Sequence, residues 1–192
     1  MSRAGFLIDL GRCVGCGSCV LACRIENSLP IELSWRRVLP LNLDRKPGGP
    51  TYHFSIACHH CENPACLQAC PSGAYEVGEN GAIILNDSRC LGCRYCEMAC
   101  PFGAPAYNDG NGTMSKCDFC SDRIEKGERP ACIEACPTGA LSGLNESEQV
   151  SRMNEIPGFT DPAGCQPSLY FIEPGGVLRS GKLKRLREAL KQ

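Results

Sequence analysis

The number and spacing of its cysteines constrain this chain more than any other feature. Seventeen of the 192 residues are Cys, a proportion far above that of ordinary soluble domains. Sixteen of them form four groups of four: Cys13, Cys16, Cys19 and Cys23 in group one; Cys58, Cys61, Cys66 and Cys70 in group two; Cys90, Cys93, Cys96 and Cys100 in group three; Cys117, Cys120, Cys132 and Cys136 in group four. Cys165 is left over, and we interpret it as a surplus thiol rather than a ligand.

The spacing of groups one and three indicates the chemistry. Both have the pattern C-x2-C-x2-C-x3-C of bacterial ferredoxins. Three closely spaced thiolates can hold three corners of a [4Fe–4S] cube, and the fourth Cys reaches a neighbouring cluster. A disulfide framework fits poorly because the number of cysteines is odd. Structural zinc is a better alternative, but a zinc ribbon needs two C-x2-C pairs separated by a long loop. The sequence therefore predicts sixteen cysteine ligands and four [4Fe–4S] clusters.

The cysteine groups belong to an internal repeat. Cys70, Cys100 and Cys136 each begin a Cys-Pro-x-Gly-Ala segment. Between groups two and three, residues 74–77 and 82–85 predict a β-hairpin with an Asn-Gly turn. This short connection favours placing groups two and three in one unit. The sequence alone also permits groups one and two to pair, and groups three and four.

Charge and hydropathy exclude several classes of protein. With 20 basic and 21 acidic residues the net charge is −1, so no global basic character indicates nucleic acid. No apolar run approaches the length of a membrane-spanning helix, and we expect neither a membrane span nor a leader peptide. The sequence contains no recognisable nucleophile–base pair or phosphate-binding loop, and we therefore predict no catalytic residues.

Three further segments complete a family resemblance. They are Cys-Arg-Tyr-Cys-Glu-Met-Ala-Cys-Pro-Phe-Gly-Ala-Pro at 93–105, Lys-Cys-Asp-Phe-Cys at 116–120 and Ser-Trp-Arg-Arg-Val at 34–38. Together with the four cysteine groups in this order, they closely resemble the iron–sulfur subunit of the dimethyl sulfoxide reductase family over roughly residues 5–144. These motifs are typical of four-cluster electron-transfer subunits.

The resemblance implies both the ligand sets and the architecture. In this family one two-cluster ferredoxin is nested inside another. Carried over, the ligands are Cys13, Cys16, Cys19 and Cys136 (site one); Cys117, Cys120, Cys132 and Cys23 (site two); Cys58, Cys61, Cys66 and Cys100 (site three); Cys90, Cys93, Cys96 and Cys70 (site four). The expected fold is α+β, with an outer ferredoxin-like unit of residues 1–23 and 101–144, an insert of residues 24–57 and an inner unit of residues 58–100.

Residues 145–192 lie beyond the cluster motifs. Their Gly, Pro and polar residues predict an extended surface arm that ends in a short basic helix, in which Leu183, Leu186 and Leu190 share one face. That face can cover the chain's own surface, dock on a larger partner or contact a membrane surface.

The resemblance also implies a function and partners. It implies a non-catalytic electron-transfer subunit of an anaerobic respiratory complex, bound to a large catalytic subunit with a molybdenum or tungsten bis-pyranopterin cofactor. An integral-membrane, quinone-reactive anchor is the other expected partner. The complex is then membrane-associated through these partners, on the periplasmic side after joint export or on the cytoplasmic side.

Two other functions remain alternatives. One is a four-cluster electron-transfer subunit of a hydrogenase or of a transmembrane electron conduit. The other is an all-cysteine zinc module with a structural or nucleic-acid-binding role. Within the resembled family, the compact length and the full set of Cys favour the sulfoxide, polysulfide, thiosulfate, tetrathionate or arsenic oxyanion branches over formate dehydrogenases and nitrate reductases.

Several other residues are candidates for roles around the clusters. Anionic clusters need nearby cations, and the candidates are Arg12, Arg24, Arg89, Arg94, Lys116 and Arg123. His59 and His60 lie between Cys58 and Cys61. No ligand is missing there, so we expect supporting or solvent-exposed roles for both. Trp35 with Arg36 and Arg37 is either an interface anchor or a plug over the insert.

Overall fold

The chain folds into short helices and strands around a small sheet. The computed structural model describes residues 3–41, 51–144, 151–152 and 164–172. The helices are Ser18–Glu26 (α1), Ala65–Gln68 (α2), Tyr95–Ala99 (α3), Ser121–Glu125 (α4) and Ala131–Glu134 (α5). The strands are Phe6–Asp9 (β1), Arg37–Leu41 (β2), Tyr52–Ile56 (β3), Tyr75–Val77 (β4), Ile83–Leu85 (β5), Ala106–Asn108 (β6), Thr113–Ser115 (β7), Leu141–Gly143 (β8), Ser151–Arg152 (β9) and Leu169–Ile172 (β10). The mixture confirms the predicted α+β class.

A four-stranded sheet with the order β8-β1-β10-β9 forms the centre of the fold. β1 runs antiparallel to β8 and parallel to β10, with Phe6 opposite Leu169 and Ile8 opposite Phe171. These four side chains are almost completely buried. Their burial explains why the first apolar run of the sequence becomes a central strand.

The described residues also form three two-stranded antiparallel sheets: β2–β3, β4–β5 and β6–β7. The β4–β5 hairpin is the one predicted between cysteine groups two and three, and Gly81 in its turn has a φ of 77°, a conformation that favours glycine. The predicted insert contains β2 and β3. Phe54 and Ile56 of β3 are buried in the main core, so this segment is an integral part of the fold.

The helices carry cysteines and meet in two pairs. α1, with Cys19 and Cys23, packs against α5, with Cys132. α2, with Cys66, packs against α3, with Cys96. Groups one and four therefore meet in one helix pair, and groups two and three meet in the other. In the part of the chain that the structure describes, no helix has the length and apolar character needed to cross a bilayer.

The segment after residue 144 differs from the expected surface arm where the structure describes it. β10 lies inside the central sheet, and Cys165, Leu169 and Phe171 are at most 2% exposed. The physical reason is the apolar run 169–172, which supplies the sheet with a second buried strand beside β1. The predicted basic helix at 182–191 lies outside the described residues.

Candidate iron–sulfur cluster sites

The first cavity brings group one together with the last cysteine of group four. Cys13, Cys16, Cys19 and Cys136 all line it. Burial raises the pKa of Cys13, a hydrogen bond with the Gly15 backbone lowers it in part, and negative charge on the other three thiols raises it further. Cys16 is exposed, and a hydrogen bond with the Ser18 hydroxyl lowers its pKa. The four predicted ligands of site one therefore surround one space.

Cys23 of group one does not line the first cavity and is influenced by cysteines of group four. Burial raises the pKa of Cys23 to about 12, and negative charge on Cys132 and Cys120 adds to the effect. Cys117 is buried, and its pKa is raised first by burial and then by charge on Cys58 and Cys23. Cys117 and Cys132 lie in the same buried core as Cys58 of site three, and the contact of α1 with α5 brings the helix of Cys23 to the helix of Cys132.

A second cavity contains the predicted ligands of site three. Cys58, Cys61, Cys66 and Cys100 line it, and Cys165 lines it as well. Burial raises the pKa of Cys66 to about 12, and charge on Cys58 contributes further. Cys165 therefore lines the cavity of predicted site three. Its position in the sequence, far from the four cysteine groups, does not indicate this.

Three of the four predicted ligands of site four lie in or beside a small apolar cluster. Cys96 is buried in this cluster, and Cys70 and Cys90 pack against it. Cys93 is exposed. Burial raises the pKa of Cys96, and charge on Cys90 raises it further. Sites one and four thus each contain one exposed cysteine.

Backbone N–H groups point at several of these sulfur atoms. The N–H groups of Gly92 and Met114 donate to Cys90 Sγ at 3.4 and 3.3 Å. The N–H group of Phe119 donates to Cys117 Sγ at 3.5 Å. Such donors stabilise thiolates and bound clusters without adding a side-chain charge.

The Cys-Pro-x-Gly-Ala segments fold in the same way three times. The N–H groups of Gly73, Gly103 and Gly139 donate to the carbonyl oxygens of Cys70, Cys100 and Cys136 at 3.2–3.3 Å. All three glycines have positive φ, between 59° and 62°. At Cys70 the turn also directs the Ala74 N–H to the Sγ at 3.3 Å. The repeat identified in the sequence is thus a repeated ligand-bearing turn.

Of the predicted cations, only Lys116 is buried. Its Nζ donates to the carbonyl oxygens of Ile83 and Cys117. Arg12, Arg89 and Arg94 are exposed, and Arg94 forms an ion pair with Glu97 at 2.8 Å. The two half-buried cations are also engaged on the surface: Arg24 with backbone carbonyls of residues 30 and 31, Arg123 with Glu26, Glu128 and Glu134.

The most deeply buried cation of the described residues, Arg36, is not among the predicted ones. It is 1% exposed, one of its guanidinium nitrogens donates to Ser55 Oγ at 3.0 Å, and another has no hydrogen-bond partner within the described ranges. Burial lowers the pKa of Arg36, but negative charge on four thiols outweighs this and raises it overall: Cys132, Cys117, Cys19 and Cys23. The Ser55 hydroxyl that Arg36 contacts also lies 3.3 Å from Cys19 Sγ of site one, and the other three of these thiols belong to site two. The sequence gives no indication that Arg36 is buried, because it lies in a Trp-Arg-Arg run beside Arg37, which is exposed.

His59 and His60 are both completely buried, contrary to the possibility that they face solvent. Burial, and then the charge of Arg36, lowers the pKa of His59 to about 3. Burial, and then Lys116, lowers the pKa of His60 well below its usual value. Both imidazoles are therefore neutral near pH 7.

The residues present fit [4Fe–4S] clusters. Four thiols converge in each of two cavities, backbone N–H groups point at the sulfurs, and the buried cations lie alongside. Four thiolates cannot share such a low-dielectric space without a compensating positive charge, and iron supplies it. In the described residues, no three Cys, His, Asp or Glu side chains are arranged to hold a single metal ion.

Comparison with known proteins identifies two domains. Residues 50–145 match the 4Fe-4S dicluster domain, and residues 6–26 match the 4Fe-4S binding domain. Together the two matches contain all sixteen predicted ligands.

Similar proteins cover most of the chain. It is 38% identical to the B subunit of the anaerobic dimethyl sulfoxide reductase of Escherichia coli (strain K12), over 93% of this chain and 89% of that protein. It is 41% identical to the subunit of the same name from Haemophilus influenzae, over 97% and 93%. It is 40% identical to the thiosulfate reductase electron transfer subunit of Salmonella typhi, over 74% and 77%. All three relatives are subunits of reductases.

Proposed function

The chain belongs to the family of iron–sulfur electron-transfer subunits of dimethyl sulfoxide reductases, and we propose that its sites one to four hold four [4Fe–4S] clusters as a linear electron relay. It is a non-catalytic subunit of a reductase complex. A bound [4Fe–4S] cluster supplies reversible one-electron chemistry. The protein itself holds the four sites close to one another, excludes water from them and determines the charge around each site.

The convergence of Cys136 with group one carries this proposal. A cysteine 113 residues after Cys23 lines the same cavity as Cys13, Cys16 and Cys19, which supports the nested assignment of ligands. The packing of α1 on α5, and of α2 on α3, supports the same two units.

Buried side chains between the sites support the order of the relay. Charge on thiols of sites one and two acts on Arg36. Negative charge on Cys58 of site three raises the pKa of Cys117 of site two, and both residues lie in the same buried core. Tyr75 is buried in one cluster with Cys66 of site three and Cys96 of site four. Burial and a hydrogen bond with Cys96 raise the pKa of Tyr75, and charge on thiols of both sites adds to the effect. The proposed order is therefore one, two, three, four.

The two ends of the relay have similar exposed surfaces. Val14 and Leu91 occupy equivalent positions after the first Cys of groups one and three, and are 62% and 71% exposed. Leu21 and Ile25 are exposed on α1, which carries Cys19 of site one, and Tyr95 and Met98 are exposed on α3, which carries Cys96 of site four. We propose that one end meets the catalytic subunit and the other meets the electron donor, an integral-membrane anchor. The complex is then held at the membrane through these partners.

The proposed catalytic partner is a molybdenum- or tungsten-containing subunit of the dimethyl sulfoxide branch. The dimethyl sulfoxide relatives align with 93–97% of this chain, whereas the thiosulfate relative aligns with 74%. This difference favours a sulfoxide over thiosulfate as the substrate of the partner.

Affinity purification of the tagged chain from its own anaerobically grown cells tests the proposal. We expect a larger molybdenum- or tungsten-containing chain to co-purify, and the complex to reduce dimethyl sulfoxide with a viologen donor. A complex that reduces only thiosulfate would contradict the proposed branch. Recovery of a fully active reductase without any larger chain would contradict the proposed function.

A further inference from the structure

The side chain of His60 contacts residues of both predicted ferredoxin-like units. Its backbone belongs to the loop between Cys58 and Cys61 of site three, and its side chain is completely buried. Imidazole Nδ1 accepts a hydrogen bond from the Ile83 N–H at 3.1 Å. On the other side of the ring, Nε2 lies 3.7 Å from Cys117 Sγ of site two.

The Ile83 contact fixes the position of the imidazole proton. A backbone N–H can only donate, so Nδ1 must carry a lone pair and cannot carry a proton. In a neutral imidazole the proton is then on Nε2. The Nε2–H therefore points at Cys117 Sγ, and His60 is the donor in an N–H···S contact to a predicted cluster ligand.

The fold holds His60 in this place at a conformational cost. Its φ is 45°, in the left-handed region that a residue with a β-carbon rarely adopts. Its carbonyl oxygen accepts hydrogen bonds from Ser168 Oγ at 3.0 Å and from the Arg3 guanidinium at 3.2 Å. Its ring packs edge-on against Phe119, with 5.4 Å between centroids. Contacts with the C-terminal segment, the inner hairpin and group four together keep the ring between sites two and three.

We propose that His60 is the positioning residue that links sites two and three, and that its Nε2–H raises the reduction potential of the cluster held by Cys117. This inference rests on the ligand sets of the proposed function. A donor to a ligand sulfur stabilises the reduced, more negative state more than the oxidised state. When one electron passes between sites two and three, the site that loses it is oxidised and the site that gains it is reduced. His60 keeps its proton throughout.

His59 provides a matched control. It is the adjacent residue and equally buried, but neither of its ring nitrogens has a hydrogen-bond partner in the described part of the chain. Its ring packs on Phe102, with 4.3 Å between centroids. Substituting His59 therefore removes an imidazole of the same size from the same loop without removing a donor to Cys117.

The main experiment compares His60→Leu and His59→Leu in the purified complex by redox titration monitored with electron paramagnetic resonance. We expect His60→Leu to shift one cluster to lower potential and to leave the other three unchanged. The shifted cluster should be the one whose spectrum changes in Cys117→Ser. His59→Leu should leave that cluster's potential unchanged. No shift in His60→Leu, or an equal shift in His59→Leu, would overturn the inference.

A second measurement applies if His60→Leu fails to assemble. In the otherwise unchanged complex with heavy-nitrogen-labelled histidine, pulsed resonance should detect a histidine nitrogen coupled to the Cys117 cluster. His60→Gln, which keeps a side-chain N–H, should lose this coupling but retain a potential near that of the wild type. Absence of the coupling in the wild type would overturn the inference. A chain with fewer than four clusters would instead contradict the proposed function.

Discussion

At the scale of single residues, Arg36 is a buried cation on which thiols of both proposed sites one and two act. A buried guanidinium with a nitrogen that lacks a partner among the described residues is unfavourable unless negative charge lies nearby. Its Cζ lies 4.3 Å from the centroid of the Phe6 ring, so aromatic packing holds it in place. The anionic ligand sets of the two sites offset its desolvation.

Replacing Arg36 with Met should therefore damage both outer sites. Removing one member of a buried charge network costs about 3–5 kcal/mol, and we expect a lower melting temperature and lower potentials at sites one and two. Redox titration and thermal denaturation measure both effects. The neighbouring Arg37 is exposed, and Arg37→Met should behave like the wild type; equal loss in both variants would contradict the role given to Arg36.

Cys100 and Cys165 line the same cavity but have different predicted roles. Cys100 is a predicted ligand of site three, whereas Cys165 belongs to the segment that covers it. We expect Cys100→Ser to lose or convert one cluster and Cys165→Ser to retain all four. Iron analysis with resonance spectra distinguishes the two variants. Loss of a cluster in Cys165→Ser alone would show that the ligand set of site three is misassigned.

At the scale of elements, two positions of the C-x2-C-x2-C loops differ in the room they leave for a side chain. Gly92 has a φ of 67°, and a β-carbon there would lie 2.3 Å from the carbonyl oxygen of Gly112. Gly17 has a φ of 76°, with no described atom within 4 Å of such a β-carbon. Arg94, at the position equivalent to Gly17, has a positive φ of 64°. The loops therefore tolerate a side chain after the second Cys but not before it.

Gly92→Ala and Gly17→Ala should differ accordingly. Both lose about 1–2 kcal/mol because a β-carbon disfavours positive φ. Gly92→Ala additionally overpacks rigid backbone, at about 1–3 kcal/mol, and should lose the site four cluster. Gly17→Ala should keep all clusters with a slightly lower melting temperature. Iron content and thermal denaturation of both variants check this, and intact site four in Gly92→Ala would contradict it.

Elements with a local signature could be predicted from the sequence. The β4–β5 hairpin has an Asn-Gly turn between apolar runs, and the three Cys-Pro-x-Gly-Ala turns share one pattern. β10 could not be placed, because its partnership with β1 depends on a contact between residues 163 positions apart, such as Phe6 with Leu169. The burial of Arg36 and the direction of His60 likewise depend on tertiary contacts that leave no periodic signal.

At the scale of the whole molecule, the clusters replace part of an ordinary hydrophobic core. Nine cysteines are buried, eight of them predicted ligands, and they bring the helix pairs together. Because metal binding to such sites is coupled to folding, removing iron with a chelator under reducing conditions should abolish the cooperative thermal transition. Near-ultraviolet circular dichroism with and without iron measures this. An unchanged transition in the iron-free chain would contradict the coupling.

The most direct test of the four-cluster relay is native mass spectrometry of the full chain, purified without oxygen. Sixteen ligands at four per cluster predict a mass increase equal to four [4Fe–4S] clusters, with about sixteen iron and sixteen sulfide per chain. A chain that carries three or fewer clusters, or zinc in their place, would contradict the account.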